Sequence, residues 1–146
     1  MSYNDASIAA AIAAQVATVT VPAGVSAIRG ATSAPPDNLQ VLPYAIVLPG
    51  GDQIQYGAAS RIITGNFTVR LYLGSPTDFA RRFPALHAYR TALRDIFLGA
   101  TTLGGLVDQA SVTGTSIGTD DYAGNELVIV DVTVEVTKGE PYNASA

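Results

Sequence analysis

Two periodicities organise the chain. Residues 61–73, RIITGNFTVRLYL, alternate: Ile63, Phe67, Val69, Leu71 and Leu73 share one parity, and Ile62, Thr64, Asn66, Thr68, Arg70 and Tyr72 the other. A period of two marks a strand with one buried face. Gly65 falls on the inward parity, which predicts a bulge or the close approach of another backbone. Residues 125–137, NELVIVDVTVEVT, repeat the pattern, with Val128, Val130, Val132, Val134 and Val136 opposed to Leu127, Ile129, Asp131, Thr133 and Glu135. A further strand is expected in QVLPYAIVL at 40–48, entered past Pro43, and another after Gly104-Gly105, drawing on Leu106, Val107, Val112 and Ile117.

The other period is helical. In DASIAAAIAAQVAT, Ile8, Ile12 and Val16 recur every four residues among alanines, which predicts a helix over about 5–18 capped by Asn4, Asp5 or Ser7. Phe79, Phe83, Leu86, Tyr89, Leu93, Ile96 and Phe97 follow the three-and-four spacing of a main helix over about 79–98. Ser75 or Thr77 caps it, with Pro76 or Asp78 in its first turn. Pro84 removes one helical hydrogen bond, so a kink is expected there, or a first turn separate from a helix running from about 83 to 98. In GATTLGG, Gly99 closes the helix and Gly104-Gly105 turn the chain into the next strand. Residues 29–38, with Pro35-Pro36, read as a loop. PGGDQIQYGAAS at 49–60 reads as an arm or hairpin tip, GTDDYAG at 118–124 as a polar turn, and 138–146 as a surface tail. The order of elements predicts one α+β domain over 1–146: a mostly antiparallel sheet with two helices packed on one face.

Composition narrows the functions open to such a domain. Charged residues make up 14% of the chain, against about 25% in typical domains, which implies either a neutral surface or one partly covered by partners. The net charge of −4 argues against a general nucleic-acid binder. No cysteine is present, which excludes disulfides and thiolate-ligated metals. The N-terminal stretch lacks the basic start of a signal peptide and carries Asp5, and no run reaches the roughly 20 apolar residues of a membrane helix. The expectation is a protein made in a cytoplasm and not exported, with no membrane partner.

Candidate chemistry is sparse. His87 is the single histidine and has no recognisable nucleophile and carboxylate to complete a triad, so it reads as structural or solvent-facing. Asp120-Asp121 do not match a calcium-loop spacing and read as a solvated turn. GATTLGG runs from helix into strand, the reverse of a phosphate-binding loop, and has no Lys-Ser/Thr pair. No catalytic residue, cofactor or metal is expected. Arg81, Arg82, Arg90 and Arg94 spread over the side of the main helix away from its apolar stripe. They read equally as a solvated face or a partner-facing patch.

The strand ending FTVRLYLGSPTD, the helix FARRFPALHAYRTALRDIFLGATTLGGLVDQASV and the closing strand YAGNELVIVDVTVEV together resemble the tail terminator (tail completion) proteins of long-tailed bacteriophages. The resemblance covers roughly residues 40–137, and the N-terminal helix fits it as well. It implies a non-enzymatic α+β virion subunit at the head-proximal end of the tail. Its expected partners are further copies in a six-fold ring, the tail-tube protein, and the head–tail connector or stopper protein. DNA would pass through the lumen without specific binding. A closed ring needs two unlike patches on each subunit. A sheet edge or the arm (Asp52, Gln53, Gln55, Tyr56) suits one patch, and the arginine-bearing helix (Arg81, Arg82, Arg90, Arg94) the other. The alternatives are another neck or tail-tube subunit and, from a different class, a soluble ligand-binding domain or small hydrolase, which requires an apolar pocket with convergent polar groups.

Overall fold

A computed structural model describes residues 2–39, 41–79, 83–98 and 101–141. The order is α1 (Asp5–Ala17), β1 (Gly30–Thr32), β2 (Tyr44–Tyr56), β3 (Ser60–Gly74), α2 (Pro76–Phe79), α3 (Phe83–Arg94), β4 (Gln109–Tyr122) and β5 (Asn125–Pro141). The strands form one sheet in the order β1-β2-β3-β5-β4. The pairs β2–β3, β3–β5 and β4–β5 are antiparallel, and β1 lies parallel to β2. The fold is α+β, as the periodicities predict.

The inward parities meet in one layer. Val69, Leu71, Val130, Val132, Val134 and Val136 join Ala45 and Val47 of β2 in a core with Ile8, Ile12 and Val16 of α1 and Leu86, Tyr89 and Leu93 of α3. Both helices therefore cover the same face. Asn4 caps α1, its side chain accepting from the Ser7 N–H at 2.9 Å. Small residues let α1 lie close, with Ala9 and Ala13 buried beside its isoleucines. Gln15 Nε2 donates to Ile96 O at 3.2 Å and ties α1 to the turns that follow α3.

On the opposite face a smaller cluster of Ile46, Tyr72, Leu127 and Ile129 packs with Leu39, Leu42, Tyr44 and Tyr122. The segment between β1 and β2 crosses this end of the sheet. Leu127 and Ile129 thus lie on the outward parity yet are buried, because a loop covers them.

Several boundaries differ from the sequence reading. Residues 30–32, read as loop, form β1, since a short GAT segment has too few positions to show a period. Helical backbone is described over α2 and α3, residues 80–82 between them lie outside the described residues, and α3 stops at Arg94, four residues short of the expected end. There Ile96 N–H reaches Leu93 O and Leu98 N–H reaches Asp95 O in tighter turns. The expected stripe is buried at Leu86, Tyr89, Leu93, Ile96 and Phe97. The side chains of Asp78, Phe79 and Phe83, and Gly99 as a helix stop, lie outside the described residues. Leu103, Gly104 and Gly105 carry the chain round with φ of 50°, 70° and 91°. The strand then starts at Gln109.

The expected polar turn at 118–124 is only Ala123-Gly124, with φ of 51° and 86°. These are the two positive angles of a type I′ hairpin, and Tyr122 and Asn125 pair across it. The expected surface tail is overturned over its first residues: β5 continues through Lys138, Gly139, Glu140 and Pro141, opposite Ile63, Ile62, Arg61 and Ser60. Residues 142–146 lie outside the described residues.

Candidate functional site

The stretch at 49–60 is a hairpin. β2 pairs with β3 out to Tyr56↔Arg61, closed by Gly57 N–H to Ser60 O at 2.7 Å. A register shift between Pro49 and Asp52 breaks β2 at its base. Beyond that break every residue from Gly51 to Ser60 is exposed. β4 stops pairing at Gln109↔Thr137, so the end of β2, the start of β3 and the end of β5 continue as a three-stranded arm past β4.

Near its tip, opposite Arg61, the arm carries Glu140, which is 7% exposed. Its Oε2 accepts from the Tyr3 N–H at 2.7 Å, and Oε1 accepts from Arg61 Nε at 2.7 Å. Arg61 Nη2 closes the ion pair. The Tyr3 amide, then Arg61, hold this carboxyl below the usual carboxylate range. Gly139 N–H also donates to Asp108 at 2.7 Å, and Asp108 N–H to Thr137 O at 2.8 Å.

Gly65 explains the approach of the N-terminal segment. It pairs with Asp52 just past the break in β2, and a Cβ built on it would collide with the Tyr3 hydroxyl. The bulge expected at Gly65 is present on the partner strand, between Pro49 and Asp52, while the close neighbour is a side chain and not another backbone. That hydroxyl is buried and has no hydrogen-bond partner among the described residues. Burial, followed by the charges of Asp5 and Asp52, pushes its pKa up to about 12.

The expected interface residues fall into two groups on different elements. Asp52, Gln53, Gln55 and Tyr56 are exposed along the arm, with Ile54 and Ile62 exposed beside them. On the helix, Arg94 is exposed, whereas Arg90 is half-buried. Arg90 donates from Nε to Thr115 Oγ1 at 2.7 Å and from Nη2 to Thr115 O at 3.3 Å, tying α3 to β4. Arg81 and Arg82 lie outside the described residues.

A second polar constellation occupies the sheet face away from the helices. Arg70 grips Asp131 with two bonds, Nε to Oδ1 at 2.9 Å and Nη2 to Oδ2 at 3.0 Å, and reaches Asp120 Oδ2 at 3.2 Å. Tyr72 donates to the same Asp120 oxygen at 2.9 Å. Asp120 is therefore a cross-strand partner, which corrects its reading as a solvated turn residue; Asp121 is exposed. Burial and then the bond to Asp120 push Tyr72 up to about 12, while the bond to Asp131 raises Arg70 further above its ordinary value. Tyr72 and Tyr122 pack edge to face at 5.1 Å, and Tyr122 donates to Pro36 O, holding the covering loop.

Other chemistry has a plain structural setting. His87 is exposed on α3. An open groove of about 620 Å³ runs between Asp37–Leu39 and the β4–β5 turn, with Ser75, Leu42, Glu126 and Leu127 among its walls. His87 is not in its lining. Among the described residues no three His, Asp or Glu side chains are grouped to hold a metal ion, and no helix is long and apolar enough to cross a membrane.

Glu140, Tyr3 and Asp108 were not singled out by sequence reasoning. The signal for Glu140 was present: Val136, Lys138 and Glu140 continue the inward parity of β5, but the pattern ceases to be apolar just where the strand leaves the helical layer. No protein-family model matches the chain, and no curated protein matches it.

Proposed function

We propose that this chain is a structural subunit that assembles with copies of itself into a ring, serving as a tail-terminator-like component of a long-tailed phage particle. The observation that carries this reading is the arm. A solitary domain gains nothing from extending three strands beyond its core, whereas an assembling subunit uses such an extension to reach its neighbour. The arm exposes Ile54, Tyr56 and Ile62 at 41%, 60% and 45%, apolar area that a partner would cover. Its strands are tied to the N-terminal segment through Glu140 and Arg61, so it is held in one orientation in advance of binding.

In this reading the ring ends the tail tube, meets the connector on its other side and lets DNA pass through. The protein is not an enzyme and works without a cofactor. The low charge of the chain suits buried subunit faces.

Immunogold electron microscopy on particles from the source lysate tests the assignment. Gold at the head–tail junction is expected. Gold along the whole tail would make the chain a tube subunit. Unlabelled particles, with an antibody proven on the pure protein, would overturn the phage reading.

A further inference from the structure

The outer side of the arm is an open strand edge. β1 covers β2 only at Tyr44–Ile46, and among the described residues no strand lies beyond Asp52–Gln55 on that side. The bond that closes the hairpin shows which backbone groups face the opening. Gly57 N–H donates to Ser60 O at 2.7 Å, so Gly57 and Ser60 are a hydrogen-bonded pair. Antiparallel pairs alternate between bonded and non-bonded. Counting back along the register, Gln55↔Ile62 and Gln53↔Thr64 are bonded pairs, while Ile54↔Ile63 and Asp52↔Gly65 are not. Gln53 and Gln55 thus spend their N–H and C=O groups on β3, whereas Asp52 and Ile54 turn theirs outward.

Natural edge strands are commonly blunted by proline or lysine. Pro49 and the register break bound this segment at its base, but residues 50–56 hold neither proline nor lysine. Ile54 and Tyr56 add exposed apolar area. Such an edge is a template for another strand.

The order of side chains says which strand. Laid antiparallel on a second copy of itself about Ile54, the segment sets Ile54 against Ile54, Gln53 against Gln55, and Asp52 against Tyr56. Apolar meets apolar and amide meets amide. Each Asp52 faces the end of the other hairpin where Tyr56 pairs with Arg61, so a carboxylate meets a face that carries a cation. Other registers lose this match. Centring on Asp52 opposes two carboxylates, and centring on Gln53 sets Asp52 against Ile54. The antiparallel direction also keeps the two bodies apart, because residues before Pro49 of one copy lie beyond the hairpin turn of the other.

We infer that two copies pair edge to edge through residues 52–56, about a two-fold axis at Ile54, so that β2, β3 and β5 of both arms form one continuous antiparallel sheet. The contact is isologous and closes on two copies. It goes beyond the ring reading and does not rest on it. With five residues a side it is a small contact of the weak, reversible class. It covers the arm's edge in the free protein and yields to a ring neighbour on assembly.

Sedimentation velocity over a dilution series tests it. The native chain should pass reversibly between monomer and dimer. I54K sets two like charges opposite each other at the axis and should raise the dimer dissociation constant about tenfold. Ile54 is exposed, so circular dichroism and melting temperature should not move. Because the chain has no cysteine, Q53C mixed with Q55C under mild oxidation reads the register. Across the axis these positions form a non-bonded pair with Cα atoms about 4.5 Å apart, within disulfide reach. The mixture should yield a linked dimer far more readily than either variant alone. A chain that stays monomeric at millimolar concentration, a dimer indifferent to I54K, or a mixture that links no better than its components would each overturn the two-fold contact. The ring reading is decided separately, by gold at the head–tail junction.

Discussion

Ala123 and Tyr3 are two residues at which local chemistry is uncomfortable. A non-glycine residue with φ of 51° sits where left-handed backbone costs about 1 kcal/mol or more. The type I′ turn favours Asn-Gly, so A123N should raise unfolding free energy by about 0.5–1 kcal/mol in urea titration. G124A should lower it by a similar amount. At Tyr3 a buried hydroxyl with no partner among the described residues is a cost that phenylalanine removes. Y3F is expected to stabilise the fold by about 1 kcal/mol, whereas G65A should displace the ring and lower the melting temperature. The β4–β5 turn was legible in sequence as a Gly-containing turn, but not its two-residue length, because Asp120 and Asp121 belong to β4, where Asp120 is held by Arg70 and Tyr72. Tyr3 was not legible at all: nothing within its own neighbourhood tells that Gly65 waits across the fold.

Among the elements, the arm is the one whose order depends on charge. Glu140 is held low by the Tyr3 amide and Arg61. A carboxyl with a lowered folded pKa contributes stability that is present above its ordinary value of 4.5 and is lost as pH falls through the lowered value. Amide hydrogen exchange should therefore show residues 51–64 losing protection in acid before the valines of β5 do. E140Q should produce the same loosening at neutral pH; equal protection in E140Q and the native chain would show that the carboxylate does not anchor the arm. The long strands themselves were legible, because alternation over a dozen residues has no helical equivalent. α3's early stop was not, since Ile96 and Phe97 keep their apolar spacing in the tighter turns that follow it.

At the scale of the whole molecule, the sheet links its two faces through tyrosines that resist ionisation. Tyr3 and Tyr72 both stand at about 12. Groups with a raised folded pKa contribute stability that is full below the unfolded value of 10 and is lost as pH rises through the folded one. Melting temperature should fall between about pH 10 and 12, and less steeply in a Y3F, Y72F double variant. D131N, which breaks the paired grip of Arg70, should cost about 1 kcal/mol, with the loss read by urea unfolding.

The sequence by itself determined the class of fold, the helix-covered face of the sheet and the location of the projecting segment. Each depends on a local period or a turn signal that any window of the chain displays. Tertiary structure decided the strand order, the parallel addition of β1, the extension of β5 to Pro141, and the division of the expected interface residues. Arg90 and Arg94 lie one turn apart and look equivalent in sequence. Only the placement of β4 beneath α3 commits the first to Thr115 and leaves the second exposed at the edge. Arg70 and Asp131 likewise share outward parities, but it is the register of β3 against β5 that sets them opposite each other. Register and edge identity arise from contacts between residues far apart in the chain, and no local pattern carries that information.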